Sequence, residues 1–218
     1  MPPALTLPNL ATDAPLWLAL LTVGVNALVG ALRGYSDDSR HWDIVGVSVF
    51  ALLMGLGGGF IRDMLLGNLP AASLRDPWSL ATVLVAIGIV LLVGHHLVKA
   101  AAVMSVLDGL ALGLFAVTGT QYGLAFDLPY VSAILLGAIS AVGGGMLVSV
   151  LQGQTPEILL AGTPTALLAI SGSVTYAVVS IWSPSAAAVA GIVVVVAGQY
   201  AARRLGIRTR PAGVRPAD

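Results

Sequence analysis

The chain has 218 residues, 57% of them hydrophobic and only 9% charged, with a formal net charge of zero and a mean hydropathy of +0.95. A soluble domain of this size carries far more charge, so the composition reads as a polytopic membrane protein, and the neutral balance argues against nucleic acid as a partner. Cysteine is absent, which removes disulfides, a thiol nucleophile and thiolate metal sites.

The first ten residues hold three prolines and no Lys or Arg. They do not form a signal-peptide n-region, so the first apolar segment is expected to stay as a spanning helix, with Asp13 and Pro15 at its start. A spanning helix needs about 20 mostly apolar residues. Seven segments meet that need: 16–33, 44–66, 78–98, 103–126, 130–151, 163–182 and 185–204. The second contains Gly57-Gly58-Gly59 and the fifth Gly143-Gly144-Gly145. Runs of glycine are poor in helix interiors, so both helices are expected to break at the triplets. The expected fold is an all-α membrane protein, a single transmembrane domain over 1–204 followed by a basic, Pro-rich tail over 205–218.

The charges orient the chain. Arg33, Arg40, Lys99, Arg203, Arg204, Arg208, Arg210 and Arg215 fall on one side of a seven-span topology, and Arg62 and Arg75 on the other. By the positive-inside rule the C-terminus is cytoplasmic and the N-terminus outside.

The chain also repeats itself. At an offset of 86, Gly57, Gly58, Gly59, Leu65, Gly67 and Pro70 meet Gly143, Gly144, Gly145, Leu151, Gly153 and Pro156. Residues 16–98 form one unit of three spans, 103–182 the other, and 185–204 is left over. Two three-span units must lie in opposite orientations, the inverted-repeat plan used by several transport proteins. Gly67, Pro70, Gly153 and Pro156 are then the expected hinges.

Glycine triplets at membrane depth can bare backbone carbonyls to a watery path, where they replace part of a cation's hydration shell. The competing reading is that they only let helices pack closely. Arg62 and Asp63 are costly within a span. They read either as a charged constriction or as a pair near the outer headgroups, and adjacent helical residues are expected to have separate partners or to face water. The corresponding positions of the second unit are Val148 and Ser149, so the path is expected to be asymmetric. Asp108 is either an ion or proton site or a carboxylate favoured by a helix N-terminus. Lys99, Arg203 and Arg204 read as lipid-facing cations, and adjacent His95 and His96 make a poor metal site. Gly55-x-Gly57-x-Gly59 lacks the Lys-Ser/Thr of a phosphate loop, and no nucleophile–base set is discernible, so neither a cofactor nor an enzyme is expected.

Residues 57–67, Gly-Gly-Gly-Phe-Ile-Arg-Asp-Met-Leu-Leu-Gly, and 108–119, Asp-Gly-Leu-Ala-Leu-Gly-Leu-Phe-Ala-Val-Thr-Gly, together with the second triplet and Pro156, resemble the bacterial branch of the trimeric intracellular cation channels, also known as glycine-transporter-like proteins. The resemblance covers about 16–200. It implies seven helices as three plus three inverted plus one, a homotrimer, and a pore in each subunit lined by helices two and five that passes potassium and sodium. Family members usually repeat the Arg-Asp pair after the second triplet, where this chain has Val148-Ser149.

The leading expectation is therefore a monovalent cation channel of the bacterial inner membrane. The triplet carbonyls, Asp63, Ser149, Thr118 and Gln121 would face the ion, and Arg62 would tune or block it. A secondary transporter of a small solute such as glycine is the alternative, and a purely structural membrane protein a third.

Overall fold

The computed structural model describes residues 16–37, 40–99 and 101–209. The helix-start signals Asp13 and Pro15, and the tail from residue 210 with Arg210 and Arg215, lie outside the described residues. Within them the elements are α1 (Leu16–Tyr35), α2 (Ile44–Leu65), the short α3 (Ala72–Arg75), α4 (Pro77–Lys99), α5 (Ala101–Ala125), α6 (Tyr130–Leu151), a 3-10 turn at Glu157–Leu159, α7 (Thr165–Val179) and α8 (Pro184–Arg204). Helices two and five of the sequence reading are thus α2 and α6. Six of these helices are long and apolar enough to cross a membrane. The seventh, α7, has 15 residues, about 22 Å at the helical rise, short of the roughly 30 Å hydrocarbon core. The expected span at 163–182 is longer than the helix found there.

A second correction concerns the triplets. Both α2 and α6 continue as helix through their glycines without interruption. The glycines serve instead to bring the two main chains together. A Cβ built on Gly58 would strike the carbonyl oxygen of Ser140, and one on Gly144 would lie 2.8 Å from the carbonyl oxygen of Met54. Likewise Gly57 faces the side chain of Leu147, and Gly143 faces that of Ile61. Each of these pairs maps onto the other at the 86-residue offset. The residue number rises along α2 as it falls along α6, so the helices cross antiparallel. In lipid, where no hydrophobic effect drives helices together, such close approach is the main source of packing energy, and it offsets glycine's poor helix propensity. Ser140 Oγ donates to the carbonyl of Gly58 across the contact at 3.1 Å.

The ends of the two helices repeat as well. The N–H groups of Leu66, Gly67 and Asn68 donate to the carbonyls of Arg62, Met64 and Asp63; those of Gln152, Gly153 and Gln154 donate to Val148, Val150 and Ser149. Gly67 and Gly153 adopt φ of +67° and +68°, a left-handed cap that glycine takes at no steric cost. These glycines end their helices rather than bend them. Pro70 and Pro156 follow in the connections that lead to α3 and to the 3-10 turn.

Contacts of Gly24 with Thr82 and of Gly94 with Tyr35 set α1 and α4 parallel, whereas Gly109 and Gly113 pack on Val196 and Ile192 of the antiparallel α8. Trp17, Trp78, Tyr130 and Trp182 are all exposed, and the helix directions collect them at one end of the bundle. Amphipathic rings of this kind settle at a membrane–water boundary. Arg33, Arg40, Lys99 and Arg203 collect at the other end.

Candidate functional site

Above the crossing of α2 and α6, at the arginine-rich end, lies a cavity of about 90 Å³. Met54 and Gly145 form part of its floor, Asn26 and Gln199 its walls, and Arg33, Asp108 and Arg203 are grouped on it. The segment 156–165, with Glu157, Thr163 and Thr165, closes one flank.

The charges are paired across three helices. Arg203 Nη2, in the last turn of α8, donates to Asp108 Oδ2 at 2.9 Å. Arg33 Nη2, near the end of α1, stands 3.7 Å from Asp108 Oδ1, a looser contact. The same guanidinium reaches inward: its Nη1 lies 3.8 Å from the position a Cβ would take on Gly145. A tethered cation therefore overhangs the floor of the vestibule. Asp108, two turns into α5, is the shared anion of this group and not a lone carboxylate favoured by its helix end.

Two amides line the wall. Asn26 is 2% exposed. Its Nδ2 donates to the carbonyls of Thr22 at 2.8 Å and of Ala111 at 3.2 Å, tying α1 to α5. Gln199 is 5% exposed, and its Oε1 accepts no hydrogen bond among the described residues.

The opposite end is built differently. Against the expectation of separate partners or exposure to water, Arg62 and Asp63 are buried and pair with each other, Nε and Nη2 reaching Oδ1 at 2.8 and 2.7 Å. The Arg side chain is long enough to fold back on its neighbour, and the Tyr122 ring of α5 holds it there, with the guanidinium carbon 3.6 Å from the ring centroid. Asp63, fully buried, also accepts the N–H of Ala72 at 2.7 Å. Val148 and Ser149 stand at the equivalent positions of α6. Val148 is fully buried, and Ser149 Oγ turns back onto its own helix, to the carbonyl of Gly145 at 3.0 Å. The vestibule opens where the repeat exchanges its ion pair for small side chains.

Of the residues singled out from sequence, Asp108, Gly145, Ser149 and Pro156 line this cavity. Gly57, Gly58, Gly143 and Gly144 make the crossing beneath it. Gly59 follows on α2, one turn before the Arg62–Asp63–Tyr122 cluster. Thr118 is buried on α5 and donates to its own helix, at Leu114; Gln121 is buried near the α5 end that carries Tyr122. Lys99 and Arg204 are exposed and bond His95 and Tyr200 of their own helices at 2.8 and 2.9 Å, while Arg203 turns to Asp108. Asn26, Arg33, Gln199 and Tyr122 were missed. Asn26 and Gln199 carried a usable signal, since polar side chains inside apolar spans seldom occur without a task.

Comparison with known proteins places the chain. The family model described as "Glycine transporter" matches twice, over residues 16–96 and 105–181. A membrane protein of Deinococcus radiodurans, named UPF0126 membrane protein, is 34% identical over 128 residues, which is 59% of this chain and 58% of that one. The UPF0126 inner membrane protein YadS of Escherichia coli K12 is 29% identical over 129 residues, 59% of this chain and 61% of that one. The matches thus span about three fifths of the length of these curated relatives. Among solved structures, a trimeric intracellular cation channel orthologue from Rhodobacter sphaeroides is 26% identical, with a TM-score of 0.78 over 88% of this chain and 98% of that one. Another TRIC cation channel structure gives a TM-score of 0.78 at 24% identity, over 92% of this chain and 98% of that one. The double match over both halves, six membrane-length helices and this shared fold make the chain a multi-pass membrane protein that belongs to the glycine-transporter family, with the architecture of the trimeric intracellular cation channels.

Proposed function

We propose that the protein is a monovalent cation channel of the bacterial inner membrane, a homotrimer with one pore in each subunit, passing potassium and sodium. One observation carries this reading: a polar vestibule stands on the antiparallel crossing of α2 and α6, in a fold that matches a trimeric cation channel orthologue over nearly its whole length. The pore runs from the vestibule, past the glycine triplets, to the Arg62–Asp63 pair. The tight crossing is its closed form, and opening separates two helices whose contact is built around glycine. Ser149 and Asp108 face the ion on the vestibule side, and Asp63, Thr118 and Gln121 on the other. The units 16–98 and 103–182 form an inverted repeat, supported by the matched caps, the reciprocal glycine contacts and the double family match. The vestibule, the basic end and the C-terminus face the cytoplasm, as the excess of arginine there favours.

Recording from purified protein in planar bilayers tests this. Discrete potassium currents that reverse with the cation gradient are expected. An intact assembly that stays silent at every voltage would overturn the channel reading. A carrier for a small zwitterion such as glycine is the second reading, favoured by one feature: guanidinium and amide side chains line the same cavity. Saturable counterflow without unitary current steps would select it.

A further inference from the structure

We infer that Gln199 and Asn26 form a binding site for a monovalent cation in the wall of the vestibule, an alkali-metal ion or a small primary ammonium. The site deepens the channel reading and rests on it for its physiological role. Gln199 is only 5% exposed, and its Oε1 has no donor among the described residues. A buried acceptor left without a donor is costly, and native structures seldom tolerate one without an occupant. Asn26 lines the same cavity. Both protons of its Nδ2 are committed to the carbonyls of Thr22 and Ala111, so Oδ1 is the polar atom it has left for an occupant. Ser149 Oγ, having donated its proton to Gly145, adds a third oxygen that can only accept.

Three neutral oxygens with no proton of their own to offer favour a metal cation or an N–H-bearing cation over an anion. The surrounding charges allow it. Arg33 and Arg203 are matched by Asp108 and Glu157 on the same cavity, so the formal charge around the site sums to zero. Neutral oxygens bind weakly enough to release an ion, which conduction demands. Water is the competing occupant, since about 90 Å³ has room for several molecules.

The test uses the full chain in lipid nanodiscs, in N-methyl-glucamine chloride at constant ionic strength. Potassium, rubidium or methylammonium is titrated in, and the melting temperature is read. A saturable rise with potassium or rubidium is expected. Gln199→Met keeps the shape and removes the amide; its apparent affinity should fall about tenfold or more, the effect of losing one contact to a charge. Gln199→Glu should bind more tightly than the parent. A saturable rise with methylammonium and none with the metals assigns the site to an ammonium. No saturable rise with any of the three means water alone fills the cavity and overturns the proposal, as does an unchanged affinity in Gln199→Met with an unaltered baseline melt. Bilayer currents separate the two readings. Normal current without saturable binding refutes the site and spares the channel, whereas saturable binding without current does the reverse.

Discussion

Gly58 and Gly144 face one another's helices through the same contact made twice. Gly58 lies under the carbonyl of Ser140, Gly144 under the carbonyl of Met54, and 54 and 140 are separated by the same 86 residues as 58 and 144. Such reciprocity is the mark of a two-fold contact, here within a single chain. It follows that damage at either glycine should be equivalent.

Gly58→Ala and Gly144→Ala should each destabilise the protein by about 1–3 kcal/mol, because a methyl group would meet main-chain oxygen that has no rotamer to change. Gly59→Ala and Gly145→Ala should be neutral or stabilising by up to about 1 kcal/mol, since alanine is the better helix former. The nearest atoms to a Cβ there lie at 3.9 and 3.8 Å, ordinary contact distances. Thermal melts of the four variants in one detergent check the pattern; equal losses at Gly59 and Gly58 would contradict it.

The Arg62–Asp63 pair is a buried ion pair with extra hydrogen bonds. Asp63→Asn leaves Arg62, 7% exposed, without its counter-charge, which should cost about 3–5 kcal/mol. Adding Arg62→Met should recover much of that loss, since replacing both members of a buried pair is far milder than removing one. A double-mutant cycle on melting free energies measures the coupling, and additive losses would show that the pair is not the unit described.

Arg33 holds a positive charge over the floor of the vestibule. On the channel reading, Arg33→Gln should raise potassium conductance and Asp108→Asn should lower it. Both effects should be large at 10 mM salt and small at 1 M, where the screening length falls from about 30 Å to about 3 Å. Single-channel conductance at the two ionic strengths decides; a salt-independent change would point to altered packing instead.

Native cysteine is absent, so single cysteines report topology directly. Arg40→Cys should react with a membrane-impermeant maleimide only in inside-out vesicles, and Trp182→Cys only in intact spheroplasts. The opposite pattern would reverse the proposed orientation while leaving the fold untouched.

Read alone, the sequence establishes the membrane class, the six membrane-length helices, the basic end and the 86-residue repeat. All of these depend on local composition and spacing, which the bilayer reads residue by residue. It did not determine what the triplets do. Glycine's propensity argues for a break, yet a helix buried against a second glycine face keeps its ladder, because the alternative in lipid is an unsatisfied backbone. Nor could it pair Asp108 with Arg203, 95 positions away, or set Asn26 and Gln199 on one cavity. Those relations exist only once α1, α5 and α8 converge and their side chains come to share one cavity.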